Sequence, residues 1–595
     1  MAFQLSPGVN VSEIDLTTVI PAVSTSTGAF AGPFTWGPVN EPTLINSEVS
    51  LVRTFGAPTD DNYESFFSAA NFLAYSNSLY VVRVADSAAT ANASGVSGAT
   101  AHLEAKYPGT LGNSILVQTC PASDADAFEA TGSLAGLFVD ISADRGKASF
   151  DGNTTINAEG RVLTEGDILV LNGYEVEVED ISGSDIIFAN KFTGYEDFGD
   201  ANTSVSSNVT VKSGVSKFIG SAPVDNSIHV VVVDASGEIT GEAGTALEVY
   251  ANLSTVSGAK NADGTTNYWA DAINAKSAYI AADAAITLPS TVEYTRLAGG
   301  SDGSDESNTT IGTYVGGYDM FKNAEEYDVS LIVTGKANST LQSYIIDNIC
   351  ETRKDCVAFV SAPLAATSES EVITHRNELP SSSYAVMDTG YKYQYDKYGD
   401  TYRWVPLNGD IAGLCARTDQ ERDPWFSPAG YNRGNVKNVV KLRLNPNKAQ
   451  RDALYAKGIN PVISQAGQGT VLFGDKTLLS QPSAFDRINV RRLFIVLEKA
   501  IARASRSTLF EFNDEFTRAQ FRNIVEPFLR EVQGRRGIYD FKVVCDDTNN
   551  TAEVIDQNQF VGDIYIKPAR AINFIQLNFV AVRTGVAFEE IVGAV

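Results

Sequence analysis

Few residues in this chain could do chemistry. Its three histidines are His102, His229 and His375. None stands in an HExxH pattern or beside a cluster of cysteines or carboxylates, so neither a metal centre nor a nucleophile–base triad is indicated. Gly474-Asp-Lys-Thr477 ends like a phosphate-binding loop. Its lead-in glycine run is incomplete, and Asp475 stands where a glycine amide would cradle phosphate, so no nucleotide is expected there. Asp302-Gly-Ser-Asp-Glu306 gathers several oxygens but lacks the spacing to a bidentate glutamate that calcium loops need, and it reads as a solvated loop. The cysteines (Cys120, Cys350, Cys356, Cys415 and Cys545) are odd in number and scattered, which argues against a disulfide framework. Cys350 and Cys356 are too far apart for the usual zinc knuckle, so all five read as small buried hydrophobes. The expectation is a chain that is not an enzyme, with no catalytic residue, cofactor, metal or direct small-molecule substrate.

Charge says more. Residues 101–330 carry 34 acidic against 11 basic side chains, whereas residues 331–595 carry 30 against 32. One block therefore holds nearly all of the −27 net charge. Such a block repels polyanions, so nucleic acid is not an expected partner. It reads as a solvated outer surface, and the near-neutral remainder as surface for packing against copies or partners. No apolar run reaches the 18 residues of a membrane span. The opening MAFQLSPGVNVSEIDL has neither the basic nor the apolar region of a signal peptide, so assembly in a cytoplasm is expected.

The elements follow from periodicity. Residues 1–20 read as an extended arm with a turn at Pro7-Gly8 and imperfect alternation through Val9, Val11 and Ile14. Asp60–Ser76 reads as a helix and Leu79–Val84 as a strand, the first part of an α/β domain over 21–100. Residues 101–325 read as an acidic β-rich insertion, a barrel or sandwich and possibly two subdomains. Its strands are expected at Ile115–Thr119, Ile168–Leu171, Glu175–Val178, Ile186–Ala189 and His229–Val233, with a two-residue hairpin link at Asn172-Gly173. The α/β pattern resumes over 326–405, with strands at Tyr327–Thr334, Asp355–Ser361 and Tyr384–Met387 and helices at Asn338–Arg353 and Glu369–Glu378. Residues 406–583 form a C-terminal domain and 584–595 a second arm, carrying Val586, Phe588 and Ile591. The fold class is thus α+β multidomain: α/β inner domains, terminal extended arms and the β-rich insertion.

The organising stretch is Gly469–Ser507. A strand leaves a glycine turn, and Asp486–Ala504 then reads as a helix whose buried face is Val490, Leu493, Phe494, Leu497, Ile501 and Ala504. Arg487, Arg491, Arg492, Lys499, Arg503 and Arg506 read as its solvated basic face. A second helix is expected from a Thr517/Gln520 capping box to about Val532, kinked at Pro527. FGDKT followed by INVRRL resembles the C-terminal domain of the sheath proteins of contractile-tailed, myovirus-type bacteriophages. Further phrases of that family stand in order: SPGVNVSEIDL with STSTGAFAG, ARTDQERDPWFSPAG, GINPV, and FVGDIYIKPARAINFIQLNF near the end. Together they span the chain outside roughly 110–325.

The resemblance implies a structural protein of the virion tail sheath. In that family, copies stack as six-membered rings around an inner tail tube. They contract on a baseplate signal and drive the tube through the host envelope for genome delivery. The implied partners are copies of itself, the tube protein, and baseplate and tail terminator proteins. Arms at both ends would link copies by strand addition. The two C-terminal helices would face the tube through Arg503, Arg506, Glu511, Asp514, Arg518 and Arg522. A sheath of a phage-like bacteriocin, secretion system or extracellular injection machine stays open as an alternative, as does, from another class, a β-rich surface or adhesion protein.

Overall fold

The computed structural model describes residues 25–86, 90–91, 94–95, 103–133, 137–140, 147–150, 155–156, 161–162, 166–171, 174–182, 185–188, 203–204, 208–283 and 288–573. The chain divides into two compact units. Both combine helices with sheets, so the fold is mixed α/β and multidomain.

The first unit comprises residues 29–322 with 394–409. The helix Tyr63–Leu73 is buried at every position after the first. Two of its buried polar side chains are paired. Ser68 donates to the Glu64 carbonyl at 2.6 Å, and the Asn71 amide donates to Gln394 Oε1 at 3.0 Å. The following strand, Leu79–Arg83, ends in a fully buried arginine. Arg83 donates to the carbonyls of Gly37 and Pro108, and burial lowers its pKa to about 10. In this unit Ile115–Pro121 lies between Ser227–Asp234 and Glu293–Ala298, all antiparallel, and Thr245–Ser254 flanks Ser227–Asp234. Val117, Val230, Val232, Trp269 and Ile273 fill the core below. A further antiparallel sheet is built from residues 129–212. There Leu171 faces Tyr174, the register that a two-residue link requires, while Asn172 and Gly173 lie outside the described residues.

The second unit comprises residues 323–393 and 410–573 together with residues 25–28. Four parallel strands lie side by side: β1 (Leu331–Val333), β2 (Val357–Ser361), β3 (Ala385–Asp388) and β4 (Ile459–Asn460). Every one of their residues is buried, as expected of a parallel sheet covered on both faces. The Thr27 carbonyl accepts from the amides of Ser330 and Leu331, so this unit is discontinuous in sequence. The helix at Glu369–Glu378 matches its expected span and opens on a Ser368/Glu371 capping box. All five cysteines are buried and none is in a disulfide.

The segment after Leu407, to which the sequence reading assigns no element, is a helix, α1 (Asn408–Glu421). Gly409 is needed there for packing: a Cβ would meet the Ser68 carbonyl at 2.3 Å. Two readings need correction. The central helix, α2 (Ile488–Ser505), buries Arg491 and Arg492 along with its apolar face. Its basic residues are therefore not one solvated face. Finally, α3 (Glu515–Gly534) starts at Asp514, whose carboxylate accepts from the Thr517 amide at 2.8 Å, and not at the expected Thr517 cap. The helix runs on through Pro527.

Candidate functional site

The region expected to carry function is built on α2, α3 and a hairpin of β5 (Ile538–Val544) and β6 (Asp563–Pro568). Leu493 and Leu497 of α2 meet Phe521, Val525, Leu529 and Val532 of α3, with Trp425 and Ile538 closing the cluster. Burying such side chains contributes roughly 1.5–3 kcal/mol each before entropy. The pair is thus rigid where the helices touch.

The Gly474-Asp-Lys-Thr477 segment fixes where α2 begins. Asp475 is buried and accepts from the hydroxyls of Ser427 and Tyr455, at 3.1 and 3.0 Å, and from the Asn573 amide at 3.1 Å. Lys476 donates to the Tyr455 carbonyl at 2.8 Å and lies 4.4 Å from that ring's centre, and Thr477 donates to the Phe485 carbonyl. The Ile488 amide donates to the Asp475 carbonyl. These side chains are committed to the fold, and their role is to aim the helix. The Asp302 carboxylate is likewise taken by the Thr110 amide and hydroxyl, and Glu306 by the Ser65 amide. Among the described residues no group of three or more His, Cys, Asp or Glu side chains is placed to hold a metal. His229 is buried between the Ser221 carbonyl and the Asn252 amide. His375 bonds Gln342, and His102 lies outside the described residues.

Arg492 anchors α2 from below. It donates to Asp419 of α1 at 2.5 Å and to the Cys415 carbonyl at 3.2 Å, while the Thr25 hydroxyl also donates to Asp419 at 2.6 Å. Arg491 is sandwiched between the rings of Tyr384 and Phe485. Lys499 and Arg503 both reach Asp328, and Asp328 is held below the usual carboxylate range by these cations against the opposing effect of burial.

The link between α2 and α3 has the opposite character. Arg506–Thr508 forms a short 3₁₀ turn, and the chain then places Leu509, Phe510, Phe512 and Phe516 in solvent. Phe510 is fully exposed and sits at φ +71°, a conformation that costs a bulky side chain energy. Four large apolar side chains within eight residues, all exposed, mark a contact surface. Charge patterning singled out this loop's neighbours and passed over its aromatics, although the LFEF run was visible.

Of the six residues expected at a tube, Arg503, Arg506, Glu511 and Asp514 are exposed around this tip. Arg518 is buried, donating to Asn513 Oδ1 and Asp547, and Arg522 donates to the Cys545 carbonyl. Arg518 thus braces the loop at Asn513, and Arg522 ties α3 to the end of β5. Pro7, Gly8, Val9, Val11, Ile14, Val586, Phe588 and Ile591 all lie outside the described residues.

Comparison with known proteins gives the family. The phage tail sheath protein central domain matches residues 312–478, the phage tail sheath C-terminal domain matches 480–581, and the N-terminal region of tail sheath protein Gp18 domain III matches 25–84. The tail sheath protein of Vibrio phage KVP40 is 36% identical over 99% of this chain and 100% of its own length. That of Enterobacteria phage T4 is 34% identical over 99% of both. Among solved structures, the sheath tail protein Lin1278 from Listeria innocua aligns over 92% of this chain and 96% of its own, with 12% identity and a TM-score of 0.49. The chain belongs to the phage tail sheath protein family. It is a structural component of the virion, a subunit of a contractile tail's sheath.

Proposed function

We propose that this subunit polymerises as stacked hexameric rings around the inner tail tube, in the host cytoplasm, and contracts on a baseplate signal to drive the tube through the host envelope. Tube, baseplate and tail terminator proteins are its partners. The work is mechanical: free energy is stored in subunit contacts behind a kinetic barrier, with no catalytic step. The observation that carries this reading is the exposed Leu509–Phe516 tip, ringed by Arg503, Arg506, Glu511 and Asp514. A rigid helix pair presents it, so the tip has a fixed place to grip. Individual exposed charge contacts contribute roughly 0–1 kcal/mol and weaken with salt, so a grip of several can hold and then release. Arms 1–20, through Pro7 to Ile14, and 584–595, through Val586, Phe588 and Ile591, link copies by strand addition. The acidic 101–325 insertion faces outward, where its self-repulsion is screened by solvent.

The test reverses Arg503 and Arg506 together. Extended sheath on tubes should be lost, while tube-free polymerisation into the contracted form survives, as seen by negative-stain microscopy. Equal loss of both forms would assign these arginines to the subunit fold, where Arg503 pairs with Asp328, or to sheath–sheath contacts, and overturn the tube grip.

A further inference from the structure

A cavity of about 400 Å³ opens between the loop after α1 and the C-terminal end of α3. Its walls carry four guanidinium groups, from Arg422, Arg433, Arg535 and Arg536, beside Asp423 and Phe426. Asp423 is the one carboxylate in that lining, and Arg535 already pairs with it and with Glu531 on α3. Arg433 lies over the Phe426 ring at 5.6 Å and donates from Nε to the Ser427 carbonyl at 2.9 Å. Among the described residues, neither Arg422 nor Arg536 has a carboxylate within ion-pair distance. Burial, and then the like charge of Arg422, lower the pKa of Arg433 against the opposing charge of Glu421. Asp423, Glu531 and Glu421 offset part of this charge, and Arg422 and Arg536 add cations with no carboxylate paired to them, which is notable in a chain of net charge −27. The fitting ligand is a close pair of carboxylates, which guanidinium forks bind well.

The described chain ends beside this cavity. The Ala569 amide donates to the Gly537 carbonyl, next to Arg536. Asn573 and Ser427 both donate to Asp475, and the Ser427 carbonyl is the one that Arg433 holds. Beyond Asn573 the sequence has one adjacent pair of carboxylates, Glu589-Glu590, and its only basic residue is Arg583. Sixteen residues of extended chain span up to about 50 Å, so reach is not limiting. We propose that the arginine cavity is the receptor for Glu589-Glu590 of the 584–595 segment. This rests on the reading of that segment as a docking arm.

The experiment uses the full chain with E589K/E590K, which removes the occupant's charge. A labelled peptide of residues 584–595 should bind it, and adding R422E/R536E should weaken binding at least tenfold with an unchanged circular dichroism spectrum. Raising salt should weaken it too. As a second measurement, polymerisation should fail in R422E/R536E and in E589K/E590K and return when the two are combined. Peptide binding indifferent to R422E/R536E, or no rescue on combination, overturns the proposal. If deleting 584–595 leaves polymerisation intact, the arm reading fails by itself, and peptide binding still decides the cavity.

Discussion

Arg492 and Asp419 lie 73 residues apart in the chain and form an ion pair with 4% and 8% of their side chains exposed. The pair bolts α2 to α1, and Thr25 joins it through its hydroxyl. Arg492→Ala should therefore cost about 3–5 kcal/mol, because it strands a buried carboxylate. The double replacement R492M/D419L should cost less than either single one, since it removes both charges. Urea unfolding of the four proteins checks this. A double variant at least as unstable as the singles would show that the two residues do not act as a pair.

The start of α3 makes a second prediction. Asp514→Ala should lower stability by about 0.5–2 kcal/mol, the usual cost of losing a helix cap. Gln520→Ala, at the exposed position that the Thr517 pattern would use, should stay within about 0.5 kcal/mol of the parent. Denaturation midpoints compare the two directly, and the reverse order would restore Thr517 as the cap.

At the tip, Phe510 combines a positive φ with full exposure. Phe510→Gly removes the strain and no buried contact, so the subunit should be as stable as the parent or more so, by about 1 kcal/mol. Extended sheath on tubes should nevertheless form poorly. Calorimetry and sedimentation together read this out, and a destabilised variant that assembles normally would refute both halves.

Asp388 supplies a pH dependence. Burial pushes its carboxyl up to about 8, although the Gly390 amide and the Ser361 hydroxyl act the other way. A carboxyl whose folded pKa exceeds its unfolded value, about 3.9, contributes stability that is fully present below that value and is lost as pH rises through the folded one. Asp388→Asn abolishes this loss. The Tm of the variant minus that of the parent should thus grow from pH 5 to pH 8.5. A gap that shrinks with rising pH would mean that Asp388 is ionised in the fold.

How much could be read without coordinates depends on range. Period and local chemistry gave the helix at Glu369–Glu378, the strands now seen at Val357–Ser361 and Ile168–Leu171, and the buried cysteines, because each depends on neighbours within a few residues. The family phrases gave the function. Charge was misread wherever its partner lay far off in sequence. Arg491, Arg492 and Arg518 look solvated in a helical pattern, and only tertiary structure brings Tyr384, Asp419 and Asp547 to them. Arg83 and Lys392 are buried for the same reason, the latter against Asp410. The cap of α3 was misassigned because two local patterns competed and backbone geometry chose Asp514. The exposed phenylalanines at 510, 512 and 516 were missed from the opposite side. Apolar residues suggest burial, and only the folded helix pair shows that, among the described residues, nothing covers this loop. Sequence by itself determined many of the elements and what family they serve. Tertiary structure decided which charges are inside and which hydrophobes are outside, because burial is a property of the packed chain and not of any residue alone.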